Sequence, residues 1–384
     1  MSAHLKMDTP DHRRRLDHTA QGVIGTGLNR PDGAAKVTGT APYAYEVQPE
    51  NMAYGVLVRA PVTRGTLTGI DADAVMALPG VLSVMHGPKF LRNPAQGTAN
   101  TAPVQGSEDI AYWGQPVALV IAETFEQARH GAHLLELQIA AKTGQVDPEA
   151  AGFETPDDQQ DSQGDLDQAM QDAAASVDVT YTTPGHNSAA MEPHASIASW
   201  DGAHLTLRGS YQMPNYNINE LASSVGIDAA QVRILSPFVG GGFGAKLGIA
   251  PEAVAAALAA MELSRPVGVA LSRQQVFETT MRRSESRQRV RLSADAQGHL
   301  TGIGHEAYVS NLPDEAFSEP VTQATPFIYS GENRLIGHHI ARVNRTCAGS
   351  VRAPGESIGV TVLENAMDEL ACDLGIDPVD LRLA

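Results

Sequence analysis

Residues Gly240-Gly241-Gly242-Phe243-Gly244-Ala245-Lys246 place four glycines in five positions and end on a lysine. Backbone amides without side-chain cover can converge on an anion, above all beside a helix N-terminus, and such a stretch is a candidate cradle for phosphate or another anionic group. A Walker A loop is excluded, because Ala245 precedes the lysine and Leu247 follows it where Ser or Thr would hold Mg²⁺. The run from Gly240 to Ala245 fits GxGxxA, but the strand–helix–strand unit with an acidic residue closing its second strand is missing. A tight turn that packs a helix against a sheet explains the same glycines equally well.

Three further segments carry reactive side chains. His186-Asn187 followed by Met191-Glu192-Pro193-His194 brings two imidazoles and a carboxylate together in sequence. The spacing matches no zinc pattern, so a hydrogen-bonded interior role for each histidine is the stronger expectation. Gln212, in Ser210-Tyr211-Gln212-Met213-Pro214, follows an apolar run and offers an amide donor to a ligand oxygen, or merely caps a strand end. Arg352, in Val351-Arg352-Ala353-Pro354-Gly355-Glu356, sits in a Pro-Gly loop; it either pairs with Glu356 or anchors an anionic ligand.

The elements that must position these residues follow from hydrophobic periodicity. Runs at 53–59, 66–71, 81–85 and 117–122 read as strands, and 124–134 as a helix with Thr124 and Gln127 forming a capping box. Residues 143–167 turn polar and acidic around Pro156-Asp157-Asp158-Gln159-Gln160-Asp161 and read as a linker. Beyond it, strands are expected at 177–182, 195–200, 204–210, 232–236, 267–271, 287–293 and 302–309. Helices are expected at 216–225, 251–261 and 357–374, with Gly375 as C-cap and Asp377-Pro378 entering one more helix. The glycine run falls between the strand at 232–236 and the helix at 251–261. This order predicts a mixed α/β (α+β) chain: a tail at 1–22, a first domain at 23–142, the linker at 143–167 and a second domain at 168–384.

Composition narrows the function classes. A formal net charge of −17 over 384 residues argues against nucleic acid as the main partner. Two cysteines, Cys347 and Cys372, cannot ligate an iron–sulfur cluster or a four-thiolate zinc. No apolar run has the length of a membrane span. Arg13-Arg14-Arg15 is followed by polar residues where an export signal needs an apolar stretch, so the expectation is a soluble chain without its own signal peptide, cytoplasmic unless a partner carries it to the periplasm.

Taken in order, Arg30-Pro31-Asp32-Gly33 with Lys36-Val37-Thr38-Gly39, Gly114-Gln115-Pro116-Val117-Ala118, Met191-Glu192-Pro193-His194, the glycine run and Arg352-Ala353-Pro354-Gly355-Glu356 resemble the successive signatures of the large, molybdenum-binding subunit of xanthine dehydrogenase/aldehyde oxidase enzymes. The wording around Tyr43-Ala44-Tyr45-Glu46, residues 122–129 and Asn311-Leu312-Pro313 is closest to bacterial periplasmic aldehyde oxidoreductases. The resemblance implies an α/β hammerhead domain followed by the first molybdopterin-binding domain, incomplete at the C-terminus.

The same resemblance implies oxidation of an aldehyde to a carboxylic acid on a molybdenum-pterin cofactor, Mo-molybdopterin or its cytosine dinucleotide. Electrons would pass to a [2Fe–2S] subunit and an FAD subunit. Gln212 would hydrogen-bond an oxo ligand of the metal, the backbone of Gly241, Gly242 and Gly244 with Phe243 would lie against the metal centre, and Arg352 would position substrate or cofactor. The family's base is a glutamate toward the C-terminus with no counterpart here; Glu192 and Glu356 do not match its position. The implied chain is an N-terminal half, truncated and inactive alone. Other readings stay open: a non-catalytic binding or assembly module, a hydroxylase of N-heterocycles, and a nicotinamide-dependent dehydrogenase using residues 240–245.

Overall fold

The computed structural model describes residues 22, 26–97 and 101–383, so the Arg13-Arg14-Arg15 tail lies outside the described residues. The chain packs as two units, 1–42 and 43–384. In the first, the helix Gly33–Val37 follows Asp32, which pairs with Lys36 at 2.7 Å and with Arg30 at 2.9 Å. Lys36 and then Arg30 hold the Asp32 carboxyl down at about 2.

The second unit is built, among the described residues, on a seven-stranded sheet with the order Val232–Leu235, Leu205–Gly209, Ala195–Trp200, Val267–Ala270, Ala53–Arg59, Pro116–Ala122, Val81–Met85. Ala53–Arg59 joins Val267–Ala270 in parallel, so a strand from before residue 142 and one from well after it share a ladder. The sequence division at 142 is therefore not a division of the sheet. Pro116–Ala122 is buried on both faces, as its unbroken apolar run requires. Six alanines in the helix Pro251–Leu263 let its backbone lie close on this sheet, and nine of its residues are buried.

A five-stranded sheet, Gln160–Gln163, Asn333–Arg342, Leu300–Asn311, Ser286–Ala294, Ala175–Thr183, carries the helix Glu356–Leu374 on one face through Val362, Leu363, Ala366, Met367 and Leu370. A small sheet of Asp109–Ile110, Gly65–Asp71 and Glu136–Ala141 and a two-stranded antiparallel ladder of His186–Asn187 with Arg282–Arg283 complete the sheets among the described residues. The Thr124–Gln127 capping box forms with both reciprocal hydrogen bonds, and Gly375 ends its helix at φ 66. Among the described residues no helix is long and apolar enough to cross a membrane.

Two expectations change. Residues 143–167 are not a bare linker: Pro148–Ala151 is helical and Gln160–Gln163 is an edge strand on Asn333–Arg342. An edge strand needs only backbone pairing and tolerates a polar sequence, and Asp161 adds an ion pair to Arg334 at 2.8 Å. Its partner strand escaped the periodicity reading because Gly337, His338 and His339 interrupt it. Second, the glycine run does not abut a helix N-terminus, since the next helix starts only at Pro251.

Buried Glu220, on the helix Pro214–Val225, ties the segment after the glycine run to the first part of the chain. Its carboxylate accepts from the amides of Gly97 (3.1 Å) and Ile249 (3.0 Å) and from Asn217 Nδ2 (3.0 Å). Removing it leaves the buried amides of Gly97 and Ile249 without an acceptor, while Asn217 Nδ2 keeps Leu247 O at 2.8 Å. Glu220→Ala is expected to lower the unfolding free energy by about 2 kcal/mol or more. Urea unfolding monitored by circular dichroism checks this.

Candidate functional site

The glycine loop is made by close approach. A Cβ at Gly242 would meet Gln212 Oε1 at 2.3 Å, one at Gly240 would meet Glu192 Cβ at 2.4 Å, and one at Gly244 would meet Ser350 O at 2.3 Å. Gly241 and Gly244 also adopt φ near 100°, a region closed to other residues. Phe243 does so without that freedom, at φ 52, a strain of about 1 kcal/mol or more. Its ring stays 48% exposed.

Gln212 is held through its oxygen. Its Oε1 accepts from the amides of Gly244 (3.0 Å) and Lys246 (3.3 Å), which fixes the side chain and leaves Nε2 without a protein acceptor among the described residues. The donor foreseen from the sequence is thus the free end of a clamped amide. The amide cradle is smaller than the glycine count suggests. Gly240 N donates to Glu192, Gly244 N to Gln212 and Ala245 N to Gly242 O, so only the N–H groups of 241–243 lack protein acceptors among the described residues.

Lys246, with its side chain 0% exposed, donates to Glu192 O (2.9 Å), Glu192 Oε2 (3.2 Å) and Ser210 Oγ (3.1 Å). Burial pulls the Lys246 ammonium below its ordinary range, and Glu192 opposes that pull. Burial would raise Glu192, but Ser210, the Gly240 amide and Lys246 together bring it below the usual carboxylate range. Glu192 is therefore a committed anion that holds the loop, and not a free base. This latch was not legible in the sequence, since 54 residues separate the partners; a lysine set among apolar and small residues was its only signal.

The second loop is held the same way. Arg283 donates to the carbonyls of Arg352 and Ala353 and to Ser357 Oγ, and pairs with Glu319 at 3.1 Å. Glu319, 0% exposed, accepts the Gly355 amide at 2.8 Å. Ala353 sits at φ 52 and Gly355 at φ 77. The Arg352–Glu356 ion pair does not form: Glu356 accepts from Gln323 at 2.6 Å, and Arg352 is exposed with no carboxylate partner among the described residues. The helix that starts at Glu356 carries that carboxylate into contact with Gln323 instead.

The two loops meet where Arg352 N donates to Phe243 O at 2.8 Å. A shallow pocket of about 270 Å³ opens there, lined by His186, Asn187, Phe243, Arg283 and Arg352 among others. The structure thus unites Phe243 and Arg352 in one cavity; Gln212 does not line it but holds the amides of Gly244 and Lys246, which follow Phe243 in the chain. His194 lies elsewhere, buried, with Nε2 donating to Ala245 O at 2.9 Å. Among the described residues no group of three or more His, Cys, Asp or Glu is arranged to hold a metal ion.

Residues 152–384 match the molybdopterin cofactor-binding domain, and residues 38–142 match the a/b hammerhead domain of aldehyde oxidase and xanthine dehydrogenase. The chain belongs to the aldehyde oxidase and xanthine dehydrogenase family of molybdopterin-binding proteins. It is 41% identical over 385 residues to the aldehyde oxidoreductase molybdenum-binding subunit PaoC of Escherichia coli K12, covering 99% of this chain and 52% of that protein. It is 24% identical to the nicotinate dehydrogenase large molybdopterin subunit of Eubacterium barkeri, covering 94% of this chain and 88% of that one. The solved aldehyde oxidoreductase of Desulfovibrio gigas superposes with a TM-score of 0.82 at 25% identity, over 93% of this chain and 43% of its own. The chain spans about half the length of the first curated relatives it matches.

Burial pushes the His194 imidazole down to about 4 from 6.5. Between those values the unfolded chain binds a proton there that the native chain refuses, so stability is complete above pH 6.5 and falls as the pH is lowered toward 4. At pH 5 this one group is expected to remove about 2 kcal/mol. Urea unfolding at pH 7 and pH 5 should show the loss, and His194→Gln, which keeps a donor for Ala245 O, should reduce it by one proton's contribution.

Proposed function

We propose that this chain supplies one wall of the active site in an aldehyde-oxidising molybdenum enzyme that converts aldehydes to carboxylic acids. The observations that support the reading are the clamped Gln212 amide, a strained loop whose N–H groups at 241–243 lack protein acceptors among the described residues, and Arg352, without a carboxylate partner among them, on a loop joined to the glycine loop by the Arg352 N–Phe243 O hydrogen bond. These donors fit an anionic, oxygen-rich group: a Cβ at Gly242 would strike Gln212 itself, so the cradle depends on glycine.

In this reading the Gln212 Nε2 and the amides of 241–243 would hold the molybdenum-pterin cofactor, Mo-molybdopterin or its cytosine dinucleotide, and Phe243 would shield the reacting side from water. When bound, the cofactor supplies a two-electron oxidant and the oxygen that ends on the aldehyde carbon. Arg352 orients the substrate by donating to its oxygen. Arg283 and Glu319 keep that loop in place. No carboxylate lines the pocket, and His186 is its one lining side chain able to accept a proton. Electrons would pass onward to a [2Fe–2S] subunit and an FAD subunit, the two cysteines of this sequence being too few to ligate such a cluster.

Identity to PaoC favours aldehydes over N-heterocycles, while the nicotinate dehydrogenase likeness keeps the heterocycle reading in play. Because Phe243 and Arg352 face solvent, the wall needs a facing surface. The purified 384-residue chain is therefore expected to retain molybdenum below stoichiometry and to oxidise no aldehyde. Co-expression with its genomic neighbours is expected to yield a complex that contains molybdenum, iron and flavin and oxidises benzaldehyde faster than nicotinate. Stoichiometric molybdenum with turnover by the chain alone would overturn the one-wall reading, and faster nicotinate oxidation would overturn the aldehyde assignment.

A further inference from the structure

The seven-stranded sheet opens where two of its parallel strands part. Ala53–Arg59 and Val267–Ala270 pair at three positions, Ala53↔Val267, Tyr54↔Gly268 and Gly55↔Val269. Beyond them the first strand runs on beside Pro116–Ala122, while the second turns away into the helix Arg273–Thr279. A crevice at the carboxyl ends of parted strands is where open α/β sheets seat ligands. Two bridges from that helix fix its width: Gln275 Nε2 donates to Leu57 O at 3.1 Å, and Glu278 pairs with Arg59. The resulting cavity, of about 920 Å³, shares no lining residue with the glycine loop or the Arg352 loop.

The facing wall is the helix Phe125–Leu134. Its buried Ala128 and Gly131 lie against the sheet, where a Cβ at Gly131 would meet Val120 Cγ1 at 2.9 Å, and the stripe Phe125, Arg129 and His133 lines the cavity. No carboxylate lines it, in a protein whose formal net charge is −17. Arg59 is matched by Glu278, whereas the exposed Arg129 has no ion pair or hydrogen bond among the described residues. Around this cation the walls are aliphatic, with Val56, Leu135 and Leu137.

Tyr45, Ala270 and Leu271 line the cavity and also a second hollow of about 570 Å³, whose other walls include Met191, Pro193 and Ala195. The carboxylates of that hollow are already engaged, Glu46 by the Tyr43 amide and Glu192 by Lys246. A cationic cavity therefore borders a mostly apolar one. An unmatched guanidinium favours a carboxylate, and aliphatic walls favour methylenes, so the two together fit one amphiphilic anion.

We infer that this crevice binds an aliphatic carboxylate of medium length, its carboxylate on Arg129 and its chain over Leu271 toward the second hollow. The site is independent of the chemistry proposed at the glycine loop.

The test is calorimetry and ligand-observed NMR on the 384-residue chain with butanoate, hexanoate, octanoate, octan-1-ol and octylammonium. Octanoate should bind about tenfold more tightly than octan-1-ol, the worth of one charge-assisted contact, and octylammonium should not bind. Affinity should rise roughly fourfold per methylene from butanoate to octanoate. Arg129→Gln, at an exposed helical position that glutamine suits, should bring octanoate down to the level of octan-1-ol. Arg352→Gln should leave octanoate binding unchanged.

The inference is overturned by octan-1-ol binding as well as octanoate, by an octanoate preference that survives Arg129→Gln, or by a series flat in chain length, which would mark an anion site without a tail. Loss of octanoate binding in Arg352→Gln would move the ligand to the other pocket and overturn it equally. The co-expressed complex should bind octanoate as the chain does; loss of binding there would mark the crevice as a face for a partner chain and sink the small-ligand assignment.

Discussion

A lysine side chain with no solvent exposure can keep its charge only if the interior supplies a partner, and Lys246 obtains one from Glu192. That requirement organises the site. Glu192 reaches Lys246 with one carboxylate oxygen, which also accepts the Gly240 amide, while the other oxygen accepts from Ala44 N. Both ends of the glycine loop are thereby fixed, one by an amide and one by an ammonium. Gln212 then clamps the middle, and Phe243 is left in a conformation it would not choose. A buried pair of this kind adds little net stability over apolar packing, but breaking it leaves an uncompensated charge, so it specifies one loop conformation.

The Arg283–Glu319 pair repeats the device on the opposite loop, where Ala353 is the strained residue. The strained non-glycine residues of the site, Phe243 and Ala353, each lie within three residues of a group held by a buried ion pair. Strain at a binding surface persists only when the surroundings over-determine it. Here two interior charge pairs, joined through the Arg352–Phe243 backbone hydrogen bond, supply that rigidity.

Much of this was legible in the sequence, for reasons that differ by feature. The strands and helices with one buried face declared themselves by period, and Thr124 with Gln127 and Gly375 marked helix ends by local chemistry. Gln212 and Arg352 stood out as polar groups in short segments after an apolar run and in a Pro-Gly loop, and Phe243 through the family resemblance of the glycine run. The latch, the strut and the edge strand Gln160–Gln163 did not stand out, since each depends on a partner dozens to hundreds of residues away and none alters local periodicity. The Arg352–Glu356 pairing failed for the converse reason. Proximity in sequence suggested it, but a helix starting at Glu356 settles that side chain on Gln323.

The same non-locality bears on what the first matched region does for the second. Ala53–Arg59 is hydrogen-bonded to Val267–Ala270, and Glu220 holds the Gly97 amide and the Ile249 amide at once. Ile249 lies three residues beyond Lys246, so the site's glycine loop and a segment from the hammerhead region share one buried carboxylate. Contacts of such sequence separation gain their free energy only after long loops have closed, so the two regions order together rather than in turn. The hammerhead strands therefore act as a structural part of the cofactor-binding domain: they complete its sheet and, through Glu220, help fix the chain that leaves the loop.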